Sequence, residues 1–369
     1  MTENDLLTFN PDAPLILIDG SSYLFRAYHA LPPLTNSKGH PTGAMYGVLN
    51  MIGKLLEQYQ PERIGVVFDA KGKNFRHELY PAYKANRPPM PEDLAEQIEP
   101  LHEIVEALGL PLLVIPGVEA DDVIGTLAHQ ATEAKQDTLI STGDKDMAQL
   151  VNEHITLINT MNDTLMTPEA VVEKFGVRPD QIVDYLALVG DKVDNIPGIP
   201  KVGPKTAAKW LQKYDNIDNL IAHADEIKGK VGEYLRENIE QLKLSRELAR
   251  IRTDCDLPVS IYDLKRQLPH FDKLKALLEI YEFHTWLKQL LDGKVPFSQK
   301  TGRKAHSETQ VAKSHMDKPA TTTDDSHYDT ILTAEQLDGW LKQLQTADLF
   351  AIDTETTSLD EMQAEIVGI

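Results

Sequence analysis

The stretch L-I-L-I-D-G at residues 15 to 20 decides how the rest of the chain is read. It is a short apolar run stopped by an aspartate and a glycine, the form of a strand buried on both faces. Four comparable runs follow: I-G-V-V-F-D-A (64 to 70), L-P-L-L-V-I (110 to 115), D-T-L-I-S-T-G-D (137 to 144) and I-T-L-I-N-T (155 to 160). The amphipathic stretches between them have the length of crossover helices. The expected fold class is therefore α/β, a mainly parallel sheet flanked by helices on both faces.

The ends of these runs carry acids. Asp19 ends the first and Asp69 the second, while Asp144 lies just past the fourth, with Asp146 beside it in S-T-G-D-K-D. Glu119, Asp121 and Asp122 follow the third in G-V-E-A-D-D-V-I-G-T-L-A (117 to 128). Taken singly, each is explained as a turn former or helix N-cap. Four strand ends all bearing acids are not, because in a parallel sheet those ends share one edge, the edge where open α/β folds bind ligands. Two carboxylates ~4 Å apart repel by about 4 kcal/mol at an effective dielectric near 20, so a crowded set needs cations or protons. A cluster of carboxylates without His or Cys selects Mg²⁺ or Mn²⁺ over zinc. Two such ions ~4 Å apart suit phosphodiester hydrolysis. His29 and His102 read as packing or surface residues, and no G-x-x-x-x-G-K-[ST] is present to argue for ATP.

Two further segments add cations. In L-V-G-D-K-V-D-N-I-P-G-I-P-K-V-G-P-K-T-A-A-K-W-L (188 to 211), the i, i+3 spacing of Asp191 and Asp194 suggests one helical face and a second acidic wall. The Gly/Pro turn then feeds a helix, with Gly203 able to approach a phosphate and Lys201 and Lys205 beside it, which points to DNA backbone. In 71 to 91, Lys71, Lys73, Arg76, Lys84 and Arg87 interleave with Phe75, Tyr80 and Tyr83, giving charge for phosphates and rings for bases. Arg26, just after Asp19, is placed to join them. A connector turn and a solvated basic loop are the plainer readings of these two segments.

Past residue 168 the pattern turns helical, with P-E-A-V-V-E-K-F, D-Q-I-V-D-Y-L-A-L and T-A-A-K-W-L-Q-K-Y as helices and one more over 233 to 252. Residues 296 to 327 are polar and without periodicity, a flexible linker, and a new globular beginning follows over 328 to 369. Net charge is −20, from 57 acidic and 37 basic residues, which argues against a generic nucleic-acid coat protein but not against a nuclease that concentrates acids at an ion site. No run approaches the ~20 apolar residues of a membrane span and no signal peptide opens the chain, so no membrane partner is expected and the cytoplasm is the default compartment. The single cysteine, Cys255, excludes an internal disulfide and reads as packing in a helical stretch.

At these residues the sequence closely resembles the 5′ nuclease domain found at the N-terminus of bacterial DNA polymerase I, within the flap endonuclease family. The resemblance runs from about Pro14 to Leu290 and rests on L-I-L-I-D-G-S-S-Y-L-F-R-A-Y-H-A, V-V-F-D-A-K-G-K, Y-K-A-N-R-P-P-M-P, G-V-E-A-D-D-V-I-G-T, S-T-G-D-K-D-M-A-Q-L and G-D-K-V-D-N-I-P-G-I-P. It implies a PIN-like core over 1 to 185 and a helical DNA-binding subdomain over 186 to 295 containing a helix-hairpin-helix. It also implies that Asp19, Asp69, Glu119, Asp121, Asp122, Asp144, Asp146, Asp191 and Asp194 build a two-metal site. Arg26, Tyr83, Lys84 and Arg87 would grip the 5′ strand, with Lys84, Arg87 and Asp121 assigned to catalysis. The turn from Gly198 through Lys201 and Gly203 to Lys205 would hold duplex backbone, with K⁺ a candidate there. Lys201 departs from the family, standing where a glycine commonly opens the hairpin. The tail from Tyr328 resembles the start of a 3′ to 5′ exonuclease domain, Asp353 and Glu355 matching its first two metal-binding acids, and no proofreading or synthesis is expected from this chain. The expected activity is structure-specific 5′ to 3′ exonuclease and 5′ flap endonuclease cleavage in DNA replication and repair, by a monomer, on DNA with a 5′ flap, nick or primer end. A ribonuclease on a similar scaffold and a junction-binding protein whose acids are only caps are the rival readings.

Overall fold

The structure, a computed structural model, describes residue 7, residues 9–297 and, beyond them, residues 333, 336, 338, 340–342, 355, 356 and 366–368. Six strands form one sheet: β1 (Leu15–Asp19), β2 (Ile64–Asp69), β3 (Leu112–Ile115), β4 (Thr138–Ser141), β5 (Ile155–Asn159) and β6 (Thr164–Met166). Their order is β3-β2-β1-β4-β5-β6, parallel from β3 to β5. The antiparallel β6 edge strand, three residues returning from β5, is too short to announce itself in the sequence.

The opening stretch shows why the sheet is buried on both sides. Leu15 and Leu17 enter one hydrophobic cluster and Ile16 and Ile18 the other, each of the four at 0% exposure, as the two-residue period of a strand requires. At about 1.5–3 kcal/mol per fully buried Leu or Ile, this one strand contributes roughly 6–12 kcal/mol of transfer free energy before the cost of ordering it. The buried faces of α1 (Gly20–Ala30), α2 (Gly43–Tyr59), α4 (Glu92–Ala95) and α5 (Ile98–Ala107) join the cluster of Ile16 and Ile18, that of α6 (Ala120–Glu133) joins the cluster of Leu15 and Leu17, and the short α3 (Phe75–Leu79) bonds through Arg76 to the first turn of α6. The chain then runs through α7 (Pro168–Phe175), α8 (Ile182–Val189), α9 (Pro204–Tyr214), α10 (Ile217–Ala222), α11 (Lys230–Glu237) and α12 (Ile239–Ala249) to α13 (Phe271–Ile280) and α14 (His284–Leu291).

The expected helix over 233 to 252 is two helices, broken at Asn238, and Cys255 lies in a half-buried loop rather than a helix. One cluster runs from Leu15 through Trp210 to Leu264, so sheet and helical part share a core. Phe297, where the linker was expected to have begun, is 7% exposed and packs edge-on against Trp286. The rest of the expected linker and Asp353 lie outside the described residues. In a second compact unit, Lys304–Ile369, Glu355–Thr356 pairs antiparallel with Ile366–Gly368.

Candidate active site

With β2 on one side of β1 and β4 on the other, the strand order reverses at β1, and the crevice of the sheet opens beyond the carboxyl ends of β1 and β4. Asp19 sits there. Its Oδ1 accepts the Ser22 N–H at 2.9 Å, capping α1, and its Oδ2 accepts the Thr142 hydroxyl at 2.7 Å, tying the two strand ends together. Thr142 Oγ1 in turn accepts the Asp144 N–H at 2.9 Å, and Asp144 Oδ1 accepts the Asp146 N–H at 2.8 Å. At the end of β2, Asp69 Oδ1 accepts the Ala120 N–H at 2.9 Å, in the first turn of α6. Cap and turn bonds therefore fix these acids, as turn chemistry alone would have it, and the fold then brings them together. Asp19, Asp69, Glu119, Asp121, Asp144, Asp146, Asp191 and Asp194 line one cleft of ≈ 480 Å³, with Arg26, Tyr83, Lys84 and Arg87.

Within the cleft the acids divide by their partners. Glu119 Oε1 accepts Lys84 Nζ at 2.6 Å and Asn74 Nδ2 at 2.8 Å, and its Oε2 accepts Arg76 Nη1 at 3.2 Å and the Tyr83 hydroxyl at 3.1 Å. Asp194 pairs with Arg87 and, at 3.7 Å, with Lys84, and Asp191 with Lys145 at 3.1 Å. Burial opposes the charge on Glu119, but Lys84 and Arg76 hold its carboxyl below the usual range, and Lys145 does the same for Asp191. Asp19 and Asp121 have no such cation, and Lys145, bonded to Asp191, only partly offsets the repulsion on Asp146. Desolvation, followed by repulsion from Asp144 and the other acids, pushes Asp121 well up and Asp146 to about 8, while desolvation takes Asp19 to about 7 against the Ser22 and Thr142 hydrogen bonds. Asp146 Oδ1 is buried without any hydrogen-bond partner. As the side chains stand, no three His, Cys, Asp or Glu among the described residues close on one point, because Glu119, Asp191 and Asp194 are turned onto lysine and arginine. An all-oxygen donor set with protonation-prone acids and an orphaned oxygen is what a hard divalent cation would satisfy.

Four expectations are corrected. Asp122 is not in the cleft: it is 0% exposed, and Arg76 grips it bidentately at 2.7 and 2.7 Å while the Glu119 and Arg252 N–H groups occupy its remaining acceptor sites at 3.1 and 2.9 Å. With four donors on it, this carboxylate has no lone pair for a metal. Arg76, at 2% exposure, cannot reach a phosphate. The Tyr83 ring is 3% exposed and is no platform for a base; its hydroxyl, kept protonated by burial and by the charges of Glu119 and Asp194, donates to those carboxylates instead. Asp191 and Asp194 lie not on a helix but in a turn closed by an Asp191–Ile196 bridge, where Asp191 Oδ1 accepts the Val193 N–H at 2.7 Å. Tyr83 and Arg76, hidden as strand-gripping residues in the sequence, are supports for Glu119.

Arg26 donates from Nη1 to Asn159 at 2.9 Å and lies over Gly143, where a Cβ would fall 1.5 Å from its Nη2. Between α8 and α9 the turn is anchored by Ile196, Ile199 and Val202, each no more than 6% exposed, with Ile199 N–H on the Leu188 carbonyl at 2.9 Å. Gln241 of α12 donates to the Gly198 carbonyl at 2.7 Å. Lys201 adopts φ +66, the left-handed conformation that a glycine would take without cost, and so keeps the turn while presenting an exposed ammonium. Lys205 is exposed in the first turn of α9, and a Cβ on Gly203 would meet nothing within 4 Å, leaving that approach open. The structure thus sets these basic residues on the hairpin, apart from the lining of the acidic cleft.

Residues 14–176 match the family described as 5′-3′ exonuclease, N-terminal resolvase-like domain, and residues 177–272 match 5′-3′ exonuclease, C-terminal SAM fold. A DNA polymerase I from Pseudomonas aeruginosa is 51% identical over 365 residues, 97% of this chain, which spans 38% of that protein's length. A 5′-3′ exonuclease from Aquifex aeolicus is 45% identical over 276 residues, covering 75% of this chain and 94% of its own. Among solved structures, the T5 5′-exonuclease bound to divalent metal ions (zinc) has the same fold, with a TM-score of 0.57 at 21% identity over 75% of this chain and 98% of that one.

Proposed function

Because the chain belongs to the 5′-3′ exonuclease family, we propose that it hydrolyses phosphodiesters near the junction of duplex and 5′ single strand, as a 5′ to 3′ exonuclease and flap endonuclease. The observation that carries this is the cleft itself, eight carboxylates from five segments of the chain rimmed by Arg26, Lys84 and Arg87. Asp19, Asp69, Glu119, Asp121, Asp144, Asp146, Asp191 and Asp194 would hold two divalent cations, Mg²⁺ or Mn²⁺ by the all-oxygen donor set. Such ions activate water and stabilise the leaving oxygen of an in-line displacement.

The chain's own residues do the rest. The Lys84 and Arg87 heads, held by Glu119 and Asp194 at the rim, lie within a side-chain swing of a phosphate entering the cleft, and each would supply charge as phosphorane character develops. Lys71 and Lys73 are exposed on the adjoining recess and extend the basic path for the 5′ strand. The Tyr83 hydroxyl keeps Glu119 from rotating. Lys201, Gly203 and Lys205 would hold the duplex backbone, which fixes register without reading sequence. A labelled 5′ flap incubated with Mg²⁺ or Mn²⁺ tests this: release of the flap is expected, binding without cleavage would favour a junction-binding protein, and a protein inert with both ions refutes the proposal.

A further inference from the structure

We propose that Arg76 is a positioning residue for cleavage, the joint that sets Glu119 of the cleft in register with the helix holding the hairpin; this rests on the nuclease reading above. All five of its N–H donors are used. Nε donates to the Leu248 carbonyl at 3.0 Å, Nη1 to Asp122 at 2.7 Å and Glu119 at 3.2 Å, and Nη2 to Asp122 at 2.7 Å and the Arg250 carbonyl at 2.7 Å. A planar fork meeting five acceptors at once cannot be replaced by an ammonium with three donors.

The acceptors come from two separate parts of the chain. Asp122 and Glu119 open α6 at the end of the sheet, whereas Leu248 lies in the last turn of α12 and Arg250 is its C-cap. Leu248, Ala249 and Ile251 themselves line the cleft. At its other end α12 carries Gln241, bonded to the Gly198 carbonyl of the hairpin. One rigid helix therefore runs from the element that would hold duplex to a guanidinium on the acid that would face the scissile phosphate. Arg76 and Tyr83 both bind Glu119 Oε2, so Oε1 is the oxygen that a departing Lys84 would expose to the cleft. Asp122 completes the joint by holding Arg76 flat.

The spacing from hairpin to Glu119 decides which phosphate is cut, and displacement of a reacting group by ~1 Å costs about 10²-fold in rate. Arg76→Lys and the double variant Arg76→Met with Asp122→Leu, which removes both buried charges so that neither is stranded, are compared with the parent on a 5′-labelled flap in Mg²⁺, with rates normalised to the folded fraction from circular dichroism. Expected are a kcat at least ~10-fold lower, KM for DNA within about 3-fold, and a product ladder spread over neighbouring phosphodiesters. Unchanged kcat and a single unchanged cut in either folded variant, or a loss confined to KM, would overturn the assignment. A parent that fails to cut at all refutes the nuclease reading instead, so the two failures are told apart.

Discussion

Replacing Asp146 by Asn should make the metal-free protein more stable while weakening its response to divalent cations. Asp146 titrates in the folded chain at about 8 against an ordinary 3.8, first from desolvation and then from Asp144, and its Oδ1 has no partner. A carboxyl raised in this way is a stabilising proton-binding group at low pH only. Below pH ~4 folded and unfolded chains are both protonated; as pH climbs toward 8 the unfolded chain has released its proton and the folded one must pay for releasing it. Four units would correspond to roughly 5 kcal/mol as a ceiling. Coupling to Asp144 and water in the cleft reduce this, and about 1–3 kcal/mol is expected. Thermal melts of parent and Asp146→Asn in chelator should differ by a few degrees at pH 8, at about 2–4 °C per kcal/mol for somewhat smaller chains, and by less at pH 5. Mg²⁺ should raise the parent's midpoint by more than the variant's. A variant no more stable than the parent at pH 8, or a gap that narrows from pH 5 to pH 8, would refute the reasoning.

Asp121→Asn should lower flap cleavage by about 10²–10³-fold, the scale of losing one group that stabilises transition-state charge, here through the ions it would hold, while DNA affinity in Ca²⁺ stays within a few-fold of the parent by filter binding. Lys205→Ala should weaken DNA binding and lower the slope of log K against log salt by about 0.9, one phosphate contact, with kcat on saturating flap little changed; an unaltered slope would remove Lys205 from the backbone path. Gly198 has φ +49, and a Cβ there would lie 2.5 Å from the Gly190 nitrogen, so Gly198→Ala should cost about 1–3 kcal/mol by denaturant unfolding and weaken duplex binding more than cleavage of a bound flap.

The convergence of acids was legible because it follows from topology: an aspartate after each buried parallel strand must reach the same edge, whatever its distance in sequence. Its finer allocation was not, although one signal was available. Asp121 and Asp122 are neighbours in the first turn of α6, and successive helical side chains diverge by about 100°, so both cannot face one cleft. Asp121 takes the cleft and Asp122 the interior. The interior partner, Arg76, is far away in sequence and sits in a segment whose composition reads as a nucleic-acid path, so nothing local marks it as core. Asp191 and Asp194 show the converse limit: i, i+3 spacing is shared by helices and by turns, and the Asx bond from Asp191 to Val193 selects the turn.

A net charge of −20 says little about DNA because the charges that matter are sorted by place. Lys84, Arg87 and Lys145 are paired with Glu119, Asp194 and Asp191, so the cations nearest the chemistry carry no free field for an approaching strand. Lys71, Lys73, Lys201 and Lys205 are exposed and outside those pairs, and they are the residues able to attract phosphate at a distance. Under the proposed function, capture and cutting would fall to different lysines: the outer set would govern encounter and its salt dependence, while the inner set would meet phosphate only after exchanging a carboxylate for it. That exchange is favourable only when another positive charge takes over the carboxylate, which links the strand's final approach to the state of the acids rather than to the overall charge of the chain.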